Sequence, residues 1–193
     1  SMMSLVLSGI IISSIFSALI SLVKYAADPY DKLPAITYWL MGSFAKADFD
    51  KLEIIGVPMI AAGALLLAMR WRINILSLGE EEARSLGIDP ARLRNIAIVA
   101  ATVITALSVT SCGIVGWVGL VIPHMCRRIV GVDHQRLLPA TCFVGAIFLA
   151  LVDICARSAL AAELPIGILT ALLGAPFFAV LLKRTREKMG DWS

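Results

Sequence analysis

The sequence predicts an all-α fold: a polytopic transmembrane helical bundle of about six spans with both termini cytoplasmic. Three observations point there. Of the 193 residues, 59% are hydrophobic and 16% charged, whereas an ordinary soluble domain is about 45–50% apolar and about 25% charged. Stretches free of Asp, Glu, Lys and Arg cover 4–23, 54–69, 95–125, 137–152 and 164–182, and a spanning helix needs about 20 mostly apolar residues. The basic residues, finally, gather in a few connecting segments. A net charge of +3 is too small to argue for nucleic acid as a partner, and the lipid bilayer is the implied surroundings. Ser1-Met2 reads as a tag scar, which leaves 3–193 as a single transmembrane domain.

The run 4–23 is long enough to cross alone. The run 95–125 has 31 residues, too many for one crossing and few for two. Two crossings with a tight turn near Gly113 put the arginine-bearing segments 70–94 and 127–136 on one side of the membrane, as the positive-inside rule favours. The predicted spans are then about 4–24, 52–70, 92–111, 114–130, 138–160 and 165–183. In this topology twelve Lys or Arg lie inside: five in 70–94, three in 127–136 and four in 183–188. Five lie outside: Lys24, Lys32, Lys46, Lys51 and Arg157. Between the first two spans, Tyr38-Trp-Leu-Met41 and Phe44, with Pro29 and Pro34 before them and Gly42 as a break, predict a short helix at the outer interface. It serves as an anchor, or as a gate or docking surface.

The most informative polar stretch is Leu76-Ser-Leu-Gly-Glu-Glu-Glu-Ala-Arg-Ser-Leu-Gly87. Ser77 and Glu80 fit a capping box. Glu80, Glu81 and Glu82 suit the positive end of a helix dipole, and Gly87 suits a left-handed residue past its end. Asp89 and Pro90 read as the cap and first residue of the next helix. A helix of about eight residues is marginal in water and has to pack on something. Three glutamates disfavour an anionic lipid surface, so a cytoplasmic protein is the better partner; a plain solvated connector is the alternative.

Gly113, Gly116 and Gly119 recur at spacing three before Pro123, and Gly174 and Pro176 interrupt the last span. Small residues let backbones approach, and broken helices often line transport pathways, although both also serve packing alone. Gly9, Ser13, Ser17 and Ser21 form a small, mildly polar stripe that either faces a pathway or seats a neighbouring helix. Cys112, Cys126, Cys142 and Cys155 form no CxxC pair and read as small core residues rather than metal ligands or a disulfide. His124 reads as a hydrogen-bonded residue near the cytoplasmic interface, and His134 as solvated. Asp153 and Arg157 stand one helical turn apart inside a span, as a structural pair or a functional one. The sequence contains no HExxH, GxSxG or Walker A pattern, so no catalytic activity is expected of this chain itself.

Six segments occur in an order that resembles one family: Trp39-Leu-Met-Gly-Ser43, the loop 76–87, Gly116-Trp-Val-Gly-Leu-Val-Ile-Pro-His124, Asp133-His-Gln-Arg-Leu-Leu-Pro139, Glu163-Leu-Pro-Ile-Gly167 and Gly174-Ala-Pro176. Together they resemble the FecCD-type permeases of ABC importers, which carry ferric siderophores, haem and vitamin B12. The resemblance covers essentially the whole chain and implies a fold of about ten spans, of which this chain is similar to the last six. It implies an inner-membrane, multi-pass permease working as a dimer of two copies. It further implies a cytoplasmic ATPase that holds the ATP and Mg, and a periplasmic or surface substrate-binding protein. By that resemblance Ser77, Gly79, Glu80, Glu82, Ala83, Leu86 and Gly87 form the helix that couples to the ATPase, and Arg157 meets the binding protein. By the same resemblance the first span, with Gly9, Ser13 and Ser17, lines the pathway between two copies, and Gly116, Gly119, Pro123, Gly174 and Pro176 are candidate pathway or helix-break residues. A secondary transporter without ATPase, or a truncated non-transporting assembly subunit, is the competing reading.

Overall fold

The computed structural model describes residues 2–45, 47–159 and 163–190. Ser1 of the expected tag scar, Lys46 of the outer charge set and Leu160 at the end of the fifth predicted span lie outside the described residues. The elements are α1 (Met2–Ala26), α2 (Lys32–Leu40), α3 (Phe49–Ala68), α4 (Arg70–Leu76), α5 (Glu80–Ser85), α6 (Pro90–Cys112), α7 (Val118–Val130), α8 (His134–Ala159) and α9 (Ile166–Gly190). The all-helical, multi-span expectation holds for the described residues. They divide into two compact units, one ending at Leu40 and one beginning at Met41.

In the first unit, α1 carries exposed Ile10, Ile11, Ile15, Phe16 and Leu19, and the hydroxyls of Ser14 and Ser21 donate to the carbonyls of Ile10 and Ser17, each at 2.9 Å. Those bonds return the serine polarity to the helix's own backbone, which an apolar spanning helix tolerates. The interfacial helix starts earlier than its aromatic residues implied, at Lys32. The Asp28 carboxylate turns the chain just before it, accepting from the amides of Tyr30 and Asp31.

In the second unit, α3 packs mainly on α6, and α7, α8 and α9 pack on one another; α4 joins the two groups through α8. Ile122, Cys126 and Leu137 form one small core between α7 and α8, and Val152, Ala156 and Ile166 form another between α8 and α9. Large apolar side chains such as Ile54, Val57, Phe143 and Ile147 stay exposed, as they do on helices that lipid or neighbouring helices cover. Cys126 is the buried cysteine; Cys142 and Cys155 are exposed and so are not core residues of this chain.

Val6–Ala26, Phe49–Ala68, Pro90–Cys112 and His134–Ser158 are long and apolar enough to cross a membrane, and Ile166–Val180 is a shorter apolar helix at the place of the sixth predicted span. The fourth predicted span, 114–130, is shortened at its start. Helix α7 has 13 residues, about 20 Å at the α-helical rise, against a hydrocarbon core of about 30 Å. The turn at Gly113 is real, with φ 73°, but the chain stays non-helical through Trp117, itself at φ 69°.

Candidate functional site

At one end of the second unit stands the loop between α3 and α6. Its helix α5 runs over six residues, shorter than expected, because the capping box does not form. Ser77 closes α4 instead, its hydroxyl donating to the Asn74 carbonyl at 2.6 Å. The residue before α5 is Gly79, at φ 141° and ψ 158°. That backbone geometry favours glycine, and a Cβ there would collide with the Glu82 carboxylate.

Three devices hold so short a helix in place. The amide of Ile88 donates to the Ala83 carbonyl and that of Gly87 to the Arg84 carbonyl, each at 2.9 Å; with Gly87 at φ 75° this is a Schellman end. Asp89 then caps α6, accepting from the amides of Ala91 and Arg92 at 3.0 and 3.2 Å, with Pro90 next, as the sequence indicated. Third, Arg94 on α6 donates to the Glu80 carboxylate. Ala83, with no exposed surface, seats α5 against its neighbours α4 and α6. Ala83 thus faces inward, and the outward apolar side chains are Leu86 and Leu78, 59% and 69% exposed. Leu78 escaped sequence reasoning because one leucine in a polar loop carries no periodic signal. Glu81 and Glu82 are exposed.

The hydrogen bond and charge of Arg94 hold the Glu80 carboxyl below its ordinary range. A carboxylate with a lowered folded value stabilises the fold above its ordinary value, and that contribution is lost as pH falls through the lowered one. Amide protection across α5 should therefore hold from pH 7 to 5 and decline only once the pH falls below the ordinary glutamate range. Hydrogen exchange monitored by NMR checks this, with Arg94→Gln expected to remove the step. Since both side chains are half-exposed, added salt should weaken the effect.

His134 is not simply solvated. Its amide donates to the Asn74 side-chain oxygen at 3.1 Å and its Nδ1 lies 3.2 Å from the same atom, tying the start of α8 to α4. Arg70 adds a long contact of 3.5 Å to the Gln135 carbonyl. His124 is half-buried, and no cluster of three or more potential metal ligands occurs among the described residues.

At the other end, two of the sequence segments, 39–43 and 163–167, meet the end of α6. The Ser43 amide donates to the Cys112 carbonyl at 2.8 Å, and the Gly167 amide donates to the Met41 carbonyl at 3.1 Å. Gly42, at φ 75°, leaves only 2.7 Å between an ideal Cβ and the Ile114 oxygen. The Met41–Ser43 strap is thus clasped between the end of α6 and the start of α9. Close to it, the Trp117 side chain covers Gly174, where a Cβ would sit 2.8 Å from Trp117 Cγ, and stacks at a tilt on Phe178 with ring centroids 6.0 Å apart. So Gly174 is a close-approach glycine. Gly116 and Gly119 are not, since nothing lies within 4 Å of a Cβ at either position, or at Gly9. Pro123 and Pro176 lie inside α7 and α9. Ser13 and Ser17 are exposed on α1.

Arg157 forms the expected pair with Asp153, Nε to Oδ2 at 2.9 Å, and also reaches Glu163 at 3.6 Å. Glu163 lies outside the helices, so no helical spacing announced it. The Leu164 amide donates to the Ala156 carbonyl at 3.2 Å, which ties the residues just before α9 to α8.

A model of the FecCD transport family matches residues 1–184. The chain is 48% identical over 187 residues to the molybdate import system permease protein MolB of Haemophilus influenzae, covering 97% of this chain and 56% of that protein. It is 42% identical over 186 residues to the iron chelatin transport system permease assigned in Helicobacter pylori, covering 96% and 57%. A solved inward-facing ABC transporter assigned to the metal-chelate type superposes with a TM-score of 0.90 at 49% identity, over 95% of this chain and 60% of that one. The chain thus spans a little over half the length of the curated relatives it matches.

Proposed function

This chain belongs to the FecCD transport family, and on that premise we propose that it acts as the permease part of an ABC importer for iron chelates in the inner membrane. A separate cytoplasmic ATPase binds ATP and Mg, and its closure moves α5 and with it the spans. The observation that carries this reading is the α5 loop: a short acidic helix, immobilised by a Schellman end, an Asp cap and an ion pair, that shows Leu78 and Leu86 outward. A connector needs no such rigidity; a part that transmits force does. The arginines flanking the loop favour its cytoplasmic side, and with it cytoplasmic termini.

Arg157, with Asp153 and Glu163, offers charged groups to a substrate-binding protein on the opposite side. The stripe of Gly9, Ser13 and Ser17 on α1 suits a pathway between two permease copies. One observation favours a second cargo: the 48% identity to a molybdate permease makes an oxyanion an alternative to a chelate.

The test is ATPase capture. Leu86→Arg, made in the full permease, should reduce co-purification with the cognate ATPase by about tenfold or more, as expected when a charge is placed in a contact's apolar centre, while the permease stays folded. Undiminished capture sinks the docking assignment. Uptake of labelled ferric siderophore, haem, cobalamin and molybdate by a strain lacking the locus, with and without its restoration, separates the cargoes.

A further inference from the structure

A cleft of about 490 Å³ opens behind α5, where α3 ends and α6 begins. Helices α3 and α6 are both long and apolar enough to span, and they pack on each other. Their shared end therefore lies at the depth of the lipid headgroups. Its lining residues are of two kinds: apolar Met69, Leu93 and Ile96, of which Met69 and Leu93 are buried, and Trp71, Arg72 and Arg92, which are exposed.

The charges around it are not balanced. Of the arginines on α4 and the first turns of α6, Arg70 reaches the Gln135 carbonyl and Arg94 is paired with Glu80. Arg72 and Arg92 have no hydrogen bond or ion pair from their side chains among the described residues. Asp89 also lines the cleft, but its carboxylate is turned to the α6 amides. The positive end of the α6 dipole points the same way.

We propose that this cleft holds one anionic phospholipid, its phosphate on Arg72 and Arg92 and its acyl chain along Met69, Leu93 and Ile96. A basic pocket between spanning helices at headgroup depth suits such a lipid. A soluble phosphate has no use for the apolar lining, and a zwitterionic lipid brings a cationic headgroup amine that the arginines repel. Gly87 and Ile88 line the same cleft, at whose rim the exposed Leu86 stands.

The test is native mass spectrometry of the whole transporter, purified in detergent and titrated with phosphatidylglycerol or phosphatidylcholine. One phosphatidylglycerol should bind about tenfold more tightly than phosphatidylcholine, as two arginines at a membrane surface allow. Arg72→Gln with Arg92→Gln should abolish that preference, whereas Arg127→Gln with Arg128→Gln should keep it. Equal binding of the two lipids, a preference that survives the first double variant, or displacement of the lipid by millimolar inorganic phosphate would each overturn the proposal. So would absence of bound lipid because another segment of the assembled transporter fills the cleft. If the double variant fails to fold, Ile96→Trp decides: it blocks the acyl wall with both arginines in place, and unchanged lipid binding then overturns the proposal.

Discussion

Gly167→Ala is expected to destabilise the protein by about 3 kcal/mol. The added Cβ would run into the Met41 carbonyl oxygen and lie 2.9 Å from that of Ile114. Both are backbone atoms, so no flexible side chain can swing aside. The start of α9 has to lift away, which breaks the Gly167–Met41 hydrogen bond and loosens the strap that Ser43 ties to Cys112. Chemical unfolding in detergent measures the loss. Gly145→Ala is the control: its Cβ meets only Ile122 Cγ2 at 3.9 Å, and replacing a mid-helix glycine should be neutral or stabilising by about 0.5–1 kcal/mol. Equal stability of the two variants would show that the clasp is not as tight as described.

Ala83→Arg should release α5 from its seat. Ala83 is completely buried where α5 meets α4 and α6, and an arginine there must either bury an unpaired guanidinium or push the helix out. The first costs several kcal/mol, about 3 or more, so the helix leaves. A free six-residue helix does not persist in water. Protection of the Leu86, Gly87 and Ile88 amides against hydrogen exchange should fall by about a hundredfold or more, and ATPase capture should fall with it. Leu86→Arg should lose capture while keeping that protection, because its side chain already faces solvent. The pair of variants separates the seat of the helix from its docking surface. Retained protection in Ala83→Arg would refute the seat.

The contrast between these two residues shows how far sequence reading reaches. The apolar runs, the Asp89-Pro90 start of α6, the left-handed Gly87 and the Asp153–Arg157 pair were all legible, because each depends on neighbours within about one helical turn. The capping box at Ser77 failed although its pattern was correct: a serine at the end of α4 found the Asn74 carbonyl first. The short α7 was missed for a related reason. Composition shows that a stretch tolerates lipid, not where its backbone becomes helical, and Trp117 at positive φ delays that start.

What the sequence by itself determined was the class of protein: helices of bilayer length, a lopsided distribution of arginines and an ordered set of segments that resembles one family. These follow from the cost of unpaired backbone and charge in hydrocarbon, which acts on each segment separately. Only the tertiary structure decided which glycines touch something, which face of α5 is outward and what occupies Arg157. Gly116 and Gly167 look alike in the sequence, yet one faces open space and the other lies against two carbonyl oxygens. The difference comes from chain segments more than 50 residues away in sequence, Met41 and Ile114 beside Gly167. Close packing is a property of the surroundings, and no local pattern carries it.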